Sequence, residues 1–174
     1  MLRDLLTAIF YILPAYIANA SPVIGVKLIG RKTPIDRGAL AWDGRRLLGD
    51  GKTLEGLIFG LFSGTLAGAI IMSLNNLGAY RSPLEPFLLS VGAMIGDILG
   101  SFLKRRFGLE RGAPAPVLDQ IGFVVCALFL GYLFYGPPKW FSGNILLALL
   151  FITGVLHLAT NSAAYILGLK DRPY

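Results

Sequence analysis

The sequence predicts an all-α integral membrane protein with five transmembrane helices, the N-terminus outside and the C-terminus cytoplasmic, with two cytoplasmic loops forming a polar site. Three observations predict it. Of 174 residues, 55% are hydrophobic and only 16 Lys+Arg and 10 Asp+Glu are charged, too apolar for an ordinary soluble domain. The apolar residues gather into five windows close to the roughly 20 residues a helix needs to cross about 30 Å of hydrocarbon. The bases between the windows are unevenly shared, thirteen on one side and three on the other, and bases are retained on the cytoplasmic side.

The first window runs from about Leu5 to Val26. Ala18-Asn19-Ala20 resembles a signal-peptide cleavage site, but cleavage needs an inside N-terminus, which would put the most basic loop outside. That loop, about 27–56, carries Lys27, Arg31, Lys32, Arg37, Arg45, Arg46 and Lys52. Its acids Asp36, Asp43, Asp50 and Glu55 and its length suit a cap over a polar site. The second window, Leu57 to Leu77, follows Gly56 and contains Gly60, Gly64 and Gly68; the third, Pro86 to Leu103, contains Gly92, Gly96 and Gly100. Stripes of small residues at this spacing let membrane helices approach closely.

The second basic loop, about 104–117, holds Lys104, Arg105, Arg106 and Arg111. The fourth window, Leu118 to Tyr135, contains the single cysteine, Cys126; one cysteine excludes an intramolecular disulfide and a thiolate zinc site. The fifth, Phe141 to Leu169, turns polar in its last third (His157, Thr160, Asn161, Ser162), which suits interhelical hydrogen bonding. Lys170 and Arg172 follow on the inside, leaving Arg3, Arg81 and Lys139 outside. Residues 1–174 therefore read as one membrane-embedded domain of the cell membrane, with its site facing the cytoplasm. The basic balance is explained by this orientation, and no nucleic-acid-binding motif accompanies it.

The stretch Gly49-Asp50-Gly51-Lys52-Thr53-Leu54-Glu55-Gly56 looks like the end of a phosphate-binding P-loop, but Arg46 stands where its first glycine belongs. Its local chemistry still suits phosphate. Gly51 admits an anion to the backbone, Lys52 supplies charge, and Thr53 is placed to cap a helix whose N-terminus favours anions. In the third window Asp97 is an ionisable group in an apolar helix, a functional candidate by default. Ser101 and Lys104 share its face at i+4 and i+7, and an Asp97–Lys104 or Asp97–Arg105 ion pair is the structural alternative. Asp119, after Pro114 and Pro116, offers a second hard oxygen ligand, a pair that suits Mg²⁺ carrying a polyphosphate.

Lys52-Thr53-Leu54-Glu55-Gly56 with Gly60 resembles the K-T-W-E-G-x-x-G-G stretch of the CTP:phosphatidate cytidylyltransferases. The run Gly96-Asp97-Ile98-Leu99-Gly100-Ser101-Phe102-Leu103-Lys104-Arg105, then Pro116 and Asp119, is similar to their G-D-L-x-x-S-x-x-K-R signature. Leu54 replaces the tryptophan, no Lys-Asp pair follows Arg105, no His-Gly-Gly precedes Asp119, and Gln120, Ile121 and Gly122 follow it. These departures, the length and the run Asp43-Gly44-Arg45-Arg46…Gly49-Asp50-Gly51-Lys52-Thr53 resemble the short archaeal branch, the CDP-archaeol synthases.

The resemblance implies transfer of CMP from CTP to an unsaturated isoprenoid ether-lipid phosphate, with Mg²⁺ as cofactor and the bilayer as partner. It implies metal ligation by Asp97 and Asp119, and lipid-phosphate or transition-state contacts from Lys104 and Arg105. It implies CTP contacts from Asp43, Arg45, Arg46, Asp50, Gly51, Lys52, Thr53 and Ser101. Oligomeric state is open, a homo-oligomer included. The alternatives are an anion or lipid-phosphate transporter, which inverted repeats would favour, and a CDP-alcohol phosphotransferase, whose further aspartate pair is absent.

Overall fold

The structure, a computed structural model, describes residues 1–74, 78–110, 113 and 115–169. The expected bases Arg111, Lys170 and Arg172, together with Pro114, lie outside the described residues. Among those described there are seven helices and no extended strands. They are α1 (Leu2–Ala20), α2 (Pro22–Ile29), α3 (Leu54–Leu74), α4 (Leu84–Arg106), α5 (Pro116–Gln120), α6 (Gly122–Tyr135) and α7 (Gly143–Ile166).

The first window is longer than expected and is divided. α1 and α2 form one apolar run, Leu2–Ile29, interrupted at Ser21 because Pro22 opens α2 and has no N–H to give the preceding turn. The second, third and fifth windows appear as α3, α4 and α7, each long and apolar enough to cross a membrane. The fourth breaks at Ile121 into α5 and the 14-residue α6, about 21 Å of helix at 1.5 Å per residue. The described chain thus has four helices of spanning length and one shorter apolar helix. α4 continues through Lys104, Arg105 and Arg106, so these bases belong to its last turn rather than to the loop.

α1 is the central helix and packs on α3, α4, α6 and α7. Ala8, Tyr11, Ile12, Ala15 and Ala18, at helical spacing, form its buried face against Leu89 and Ala93 of α4, Val124 and Ala127 of α6, and Leu149 of α7. The glycine stripes set the distances between these helices. A Cβ on Gly60 would stand 2.7 Å from the Ala18 carbonyl oxygen, and one on Gly64 would stand 2.6 Å from that of Pro14. On α4, Gly92 and Gly96 would bring a Cβ within 2.6 Å of Ala127 Cα and 2.7 Å of Phe123 Cα. α3 therefore closes on α1, and α4 on α6, at backbone contact.

Pro14 lies inside α1 and leaves the Phe10 carbonyl without its helical partner; the Tyr80 hydroxyl donates to that oxygen instead. At the same end Glu85 is fully buried. It accepts from Tyr11 Oη (2.9 Å), Arg81 N (2.7 Å) and the Arg81 guanidinium (2.5 Å), while Arg81 Nη1 donates to the Tyr135 carbonyl (2.6 Å). An interhelical hydrogen bond of α7 joins Thr153 to Tyr16 (2.7 Å), and His157 and Asn161 also meet each other along α7 (2.7 Å). At the opposite end Lys27 Nζ reaches the Gly168 carbonyl (3.2 Å), and the long loop 30–53 lies there, between α2 and α3.

Candidate active site

The loop is shaped by Asp36. Its carboxylate, 1% exposed, accepts from the backbone N–H groups of Gly38 (3.2 Å), Leu48 (3.0 Å) and Gly49 (2.9 Å), and from Arg46 Nη2 (2.7 Å). Arg37 and Gly38 take positive φ (46° and 90°) so that the chain can turn around this acceptor. The Arg46 guanidinium, with the three amides, holds the Asp36 carboxyl well below the usual carboxylate range. Arg46 Nη2 also donates to Asp50 (2.8 Å). Pro34 bridges to Thr53 and Leu40 to Arg46, so the loop folds back on itself.

Two lysine–carboxylate pairs lie at this end of the bundle. Lys52 Nζ donates to Asp97 Oδ2 at 2.5 Å, joining the loop's end to α4. Lys104 Nζ donates to both oxygens of Asp119, at 3.0 and 2.9 Å, joining α4 to α5; Asp119 also accepts from Ala115 N (2.9 Å). Asp97, Ser101 and Lys104 share one face of α4 over about 10 Å of helix axis. The alternative pairing of Asp97 with Lys104 or Arg105 is not what forms: Asp97 takes the loop's lysine, and Lys104 takes Asp119.

Thr53 is buried, and its Oγ1 accepts from Gly56 N (3.1 Å), capping α3 as its residue type and position suggest. Glu55 accepts from Thr33 N (2.9 Å) and Thr33 Oγ1 (2.6 Å), fixing the start of the loop to the start of α3. Gly51 is exposed beside Lys52. Arg45 Nη1 donates to the Arg106 carbonyl (2.8 Å), capping the C-terminus of α4. Arg105 Nη2 donates to the Glu110 carbonyl (3.1 Å), and its Nε is buried without a hydrogen-bond partner among the described residues.

Asp43 is ion-paired with Arg106, and Arg106 Nη2 donates to the Arg46 carbonyl (2.6 Å). The Arg106 guanidinium lies 5.1 Å from the centroid of the Phe102 ring and 5.4 Å from that of the Trp42 ring. Asp36 and Arg106, which the sequence shows only as members of the two charged loops, and Trp42, which it does not single out, are brought together at this end. The signal for Asp36 was the Asp-Arg-Gly turn at 36–38; Arg106 and Trp42 carry no motif of their own.

Among the described residues no three His, Cys, Asp or Glu side chains converge into a self-sufficient metal cage. Asp97 and Asp119, each 31% exposed, fit a hard cation that arrives with phosphate ligands, since Mg²⁺ usually takes only one or two carboxylates from protein. A separate apolar recess of about 250 Å³ lies between α6 and α7, lined by Val125, Phe129, Tyr132, Pro138, Phe141 and Leu150. It is offset toward the end of the bundle opposite the loop.

The family model described as CarS-like, CDP-archaeol synthase, matches residues 1–174. The chain is 47% identical to the CDP-archaeol synthase of Methanopyrus kandleri, over 95% of this chain and 91% of that one. It is 45% identical to those of Methanocaldococcus jannaschii (97% of each chain) and Thermococcus kodakarensis (99% and 98%). A solved structure of an intramembrane enzyme for archaeal membrane lipids biosynthesis superposes with a TM-score of 0.78, at 40% identity, covering 90% of this chain and 94% of that one. On full-length sequence and fold alike, the chain belongs to the CDP-archaeol synthase family of membrane enzymes.

Proposed function

We propose that the chain transfers CMP from CTP to 2,3-bis-O-geranylgeranylglycerol 1-phosphate, giving CDP-archaeol and pyrophosphate. The observation that supports this reading most directly is the double pairing Lys52–Asp97 and Lys104–Asp119, set where the loop and the ends of α3, α4 and α5 meet. Each pair is electrically neutral, with a cation for phosphate and an anion for a metal. Two lysines and two carboxylates could therefore take up a metal-bound triphosphate with every partly exposed charge still facing an opposite one.

In the reaction an oxygen of the lipid phosphate forms a bond to the α-phosphorus of CTP, and the bond from that phosphorus to the bridging oxygen of the β-phosphate breaks. The electron pair leaves with pyrophosphate. The nucleophile is already ionised near neutral pH, so the protein's task is positioning and charge neutralisation. Lys52, released from Asp97, would hold the triphosphate from the loop side, with Gly51 giving its backbone close access. Lys104 and Arg105 would face the lipid phosphate and the charge that develops in transfer; Arg105 brings a buried Nε with no partner among the described residues. Asp97 and Asp119 would hold Mg²⁺, which when bound neutralises phosphate charge and polarises the phosphorus under attack. Ser101 stands between Asp97 and Lys104 on the same face.

Asp43, Arg45, Arg46, Asp50 and Thr53 hold the loop and helix ends in shape, and from there would act on CTP mainly through Lys52 and Gly51. Counted as five spans, with α5 and α6 together making the fourth, the bundle would turn the loop end toward the cytoplasm, where CTP is available, because the basic residues gather at that end.

Purified protein given CTP, Mg²⁺ and the lipid phosphate should release pyrophosphate and form the CDP-lipid. Failure to produce either under those conditions rejects the reading. Turnover undiminished in Asp97→Asn removes the metal role, and CTP affinity undiminished in Lys52→Ala removes the phosphate grip.

A further inference from the structure

The loop carries an apolar tip that neither lysine pair uses. Leu40 and Arg46 bridge, Ala41 N donates to the Arg45 carbonyl (2.8 Å), and Gly44 N donates to the Ala41 carbonyl (3.0 Å). This is a small hairpin whose turn is Ala41-Trp42-Asp43-Gly44, closed by Gly44 at φ 73°. Trp42 sits at the turn, 82% exposed, and Leu40 beside it is 61% exposed. Two large apolar side chains displayed side by side at one turn make a small exposed apolar patch next to a helix of membrane-spanning length.

The side of α4 on which the tip rests points to what covers it. Nine residues separate Asp97 from Arg106, which turns the helix by about 180°. Arg106 and Phe102, the two side chains that Trp42 touches, therefore lie across α4 from the face that carries Asp97, Ser101 and Lys104. They continue the outward line of Ile95, Leu99 and Leu103, all exposed apolar residues on a helix of membrane-spanning length. Trp42 extends that line past the last turn of α4, where exposed Phe107 also lies. The bases Arg37 and Arg45 flank the tip and are exposed. An aromatic ring with an apolar neighbour and a rim of arginines is the composition that residues adopt at the headgroup level of a bilayer.

We propose that the Leu40–Trp42 tip is an interfacial anchor: it enters the headgroup layer of the surrounding bilayer on the outer side of α4 and holds the loop whose end carries Lys52 to Asp97. Arg106 couples the anchor to the loop's frame, because its guanidinium contacts both rings while it pairs with Asp43 and donates to the Arg46 carbonyl. The inference rests on the bundle lying in a bilayer and not on which nucleotide or lipid the site takes. The rival occupant of an exposed tryptophan beside a nucleotide site is a stacked base. The position of Trp42 across α4 from the lysine pairs argues against it.

The sequence has two tryptophans, so Trp140→Phe leaves Trp42 as the sole tryptophan, excited apart from the tyrosines at the red edge of absorption; where that variant folds poorly, the difference between wild type and Trp42→Phe isolates the same signal. The full chain is reconstituted in liposomes whose phosphatidylcholine is brominated near the headgroup end of its acyl chains. Trp42 emission should fall to roughly half of that in unbrominated liposomes, and aqueous iodide should quench it several-fold less than free tryptophan amide, as an interfacial ring requires. Iodide quenching at the free rate with no bromolipid effect overturns the proposal, and so does quenching by CTP alone in detergent, which would make Trp42 a base platform. Neither readout needs turnover, so failure of the anchor and failure of the cytidylyltransferase reading remain distinct.

Discussion

Asp36 does more for the candidate site than its sequence position suggests, because one carboxylate organises three amides and an arginine while nearly excluded from water. Replacing it with alanine leaves Arg46 and the amides of Leu48 and Gly49 without that acceptor, which should weaken the loop by about 2 kcal/mol. Trypsin cleavage at Arg37 and Arg45 should accelerate correspondingly. The folded carboxyl is depressed, so its stabilisation is complete above the unfolded value of about 4 and is lost as pH falls through the lower folded value. Loop protection should therefore be flat from neutral pH down to about 5 and decline only in stronger acid; a decline near pH 6 would contradict the assignment. Asp97 stood out in the sequence because an ionisable group is costly in an apolar helix, and Lys104 and Asp119 by their positions relative to it. Their partners were not legible, since Lys52 stands 45 residues from Asp97 and only the folded loop brings them together.

Among the elements, α3 shows what sequence spacing can and cannot reveal. Its glycines at 56, 60, 64 and 68 announced close packing, and the structure gives the surfaces they meet: Pro22 of α2, carbonyls of α1, and Met94, Ser90 and Pro86 of α4. Gly64→Val puts a branched side chain where even a Cβ would stand 2.6 Å from a backbone oxygen, so α3 must move away from α1. The apparent melting temperature should drop by several degrees, with a loss of about 1–3 kcal/mol, whereas Gly143→Ala, with nothing near its Cβ, should change little. Cys126, the single thiol and partly buried against Gly96, provides the measurement through its rate of labelling by a thiol-reactive dye on heating. The breaks at Ser21 and Ile121 were not legible in the apolar windows, because hydropathy is insensitive to a missing N–H or a local change of backbone angle. Tyr80→Phe probes a similar defect within α1. Without its hydroxyl the Phe10 carbonyl freed by Pro14 loses its donor, at about 1 kcal/mol in the same assay.

The whole molecule carries polar clusters at its two opposite ends, a closed one around Glu85 and the candidate site at the loop end. At the end away from the loop, Glu85 is fully buried, and Arg81 and Tyr11 satisfy it. Arg81 in turn binds the end of α6 through the Tyr135 carbonyl and lies over the Tyr135 ring. Every group in that cluster has its partner within the protein, so it ties α1, α4 and α6 together and has little capacity left for a ligand. At the loop end the lysine pairs are partly open to water, with 31% of each carboxylate side chain exposed. The two clusters should then respond oppositely to truncation. Glu85→Ala strands the Arg81 charge and removes the acceptor of Tyr11, which should cost about 3–5 kcal/mol in the Cys126 labelling assay. Below its melting point that variant should keep its KM for CTP. Lys104→Ala, by contrast, breaks a pair that water already reaches, which should cost about 1 kcal/mol or less while turnover falls at least tenfold. If Glu85→Ala raised KM for CTP at unchanged stability, the far end would belong to the site. If Lys104→Ala melted the bundle while leaving turnover intact, the loop end would be the structural clamp instead.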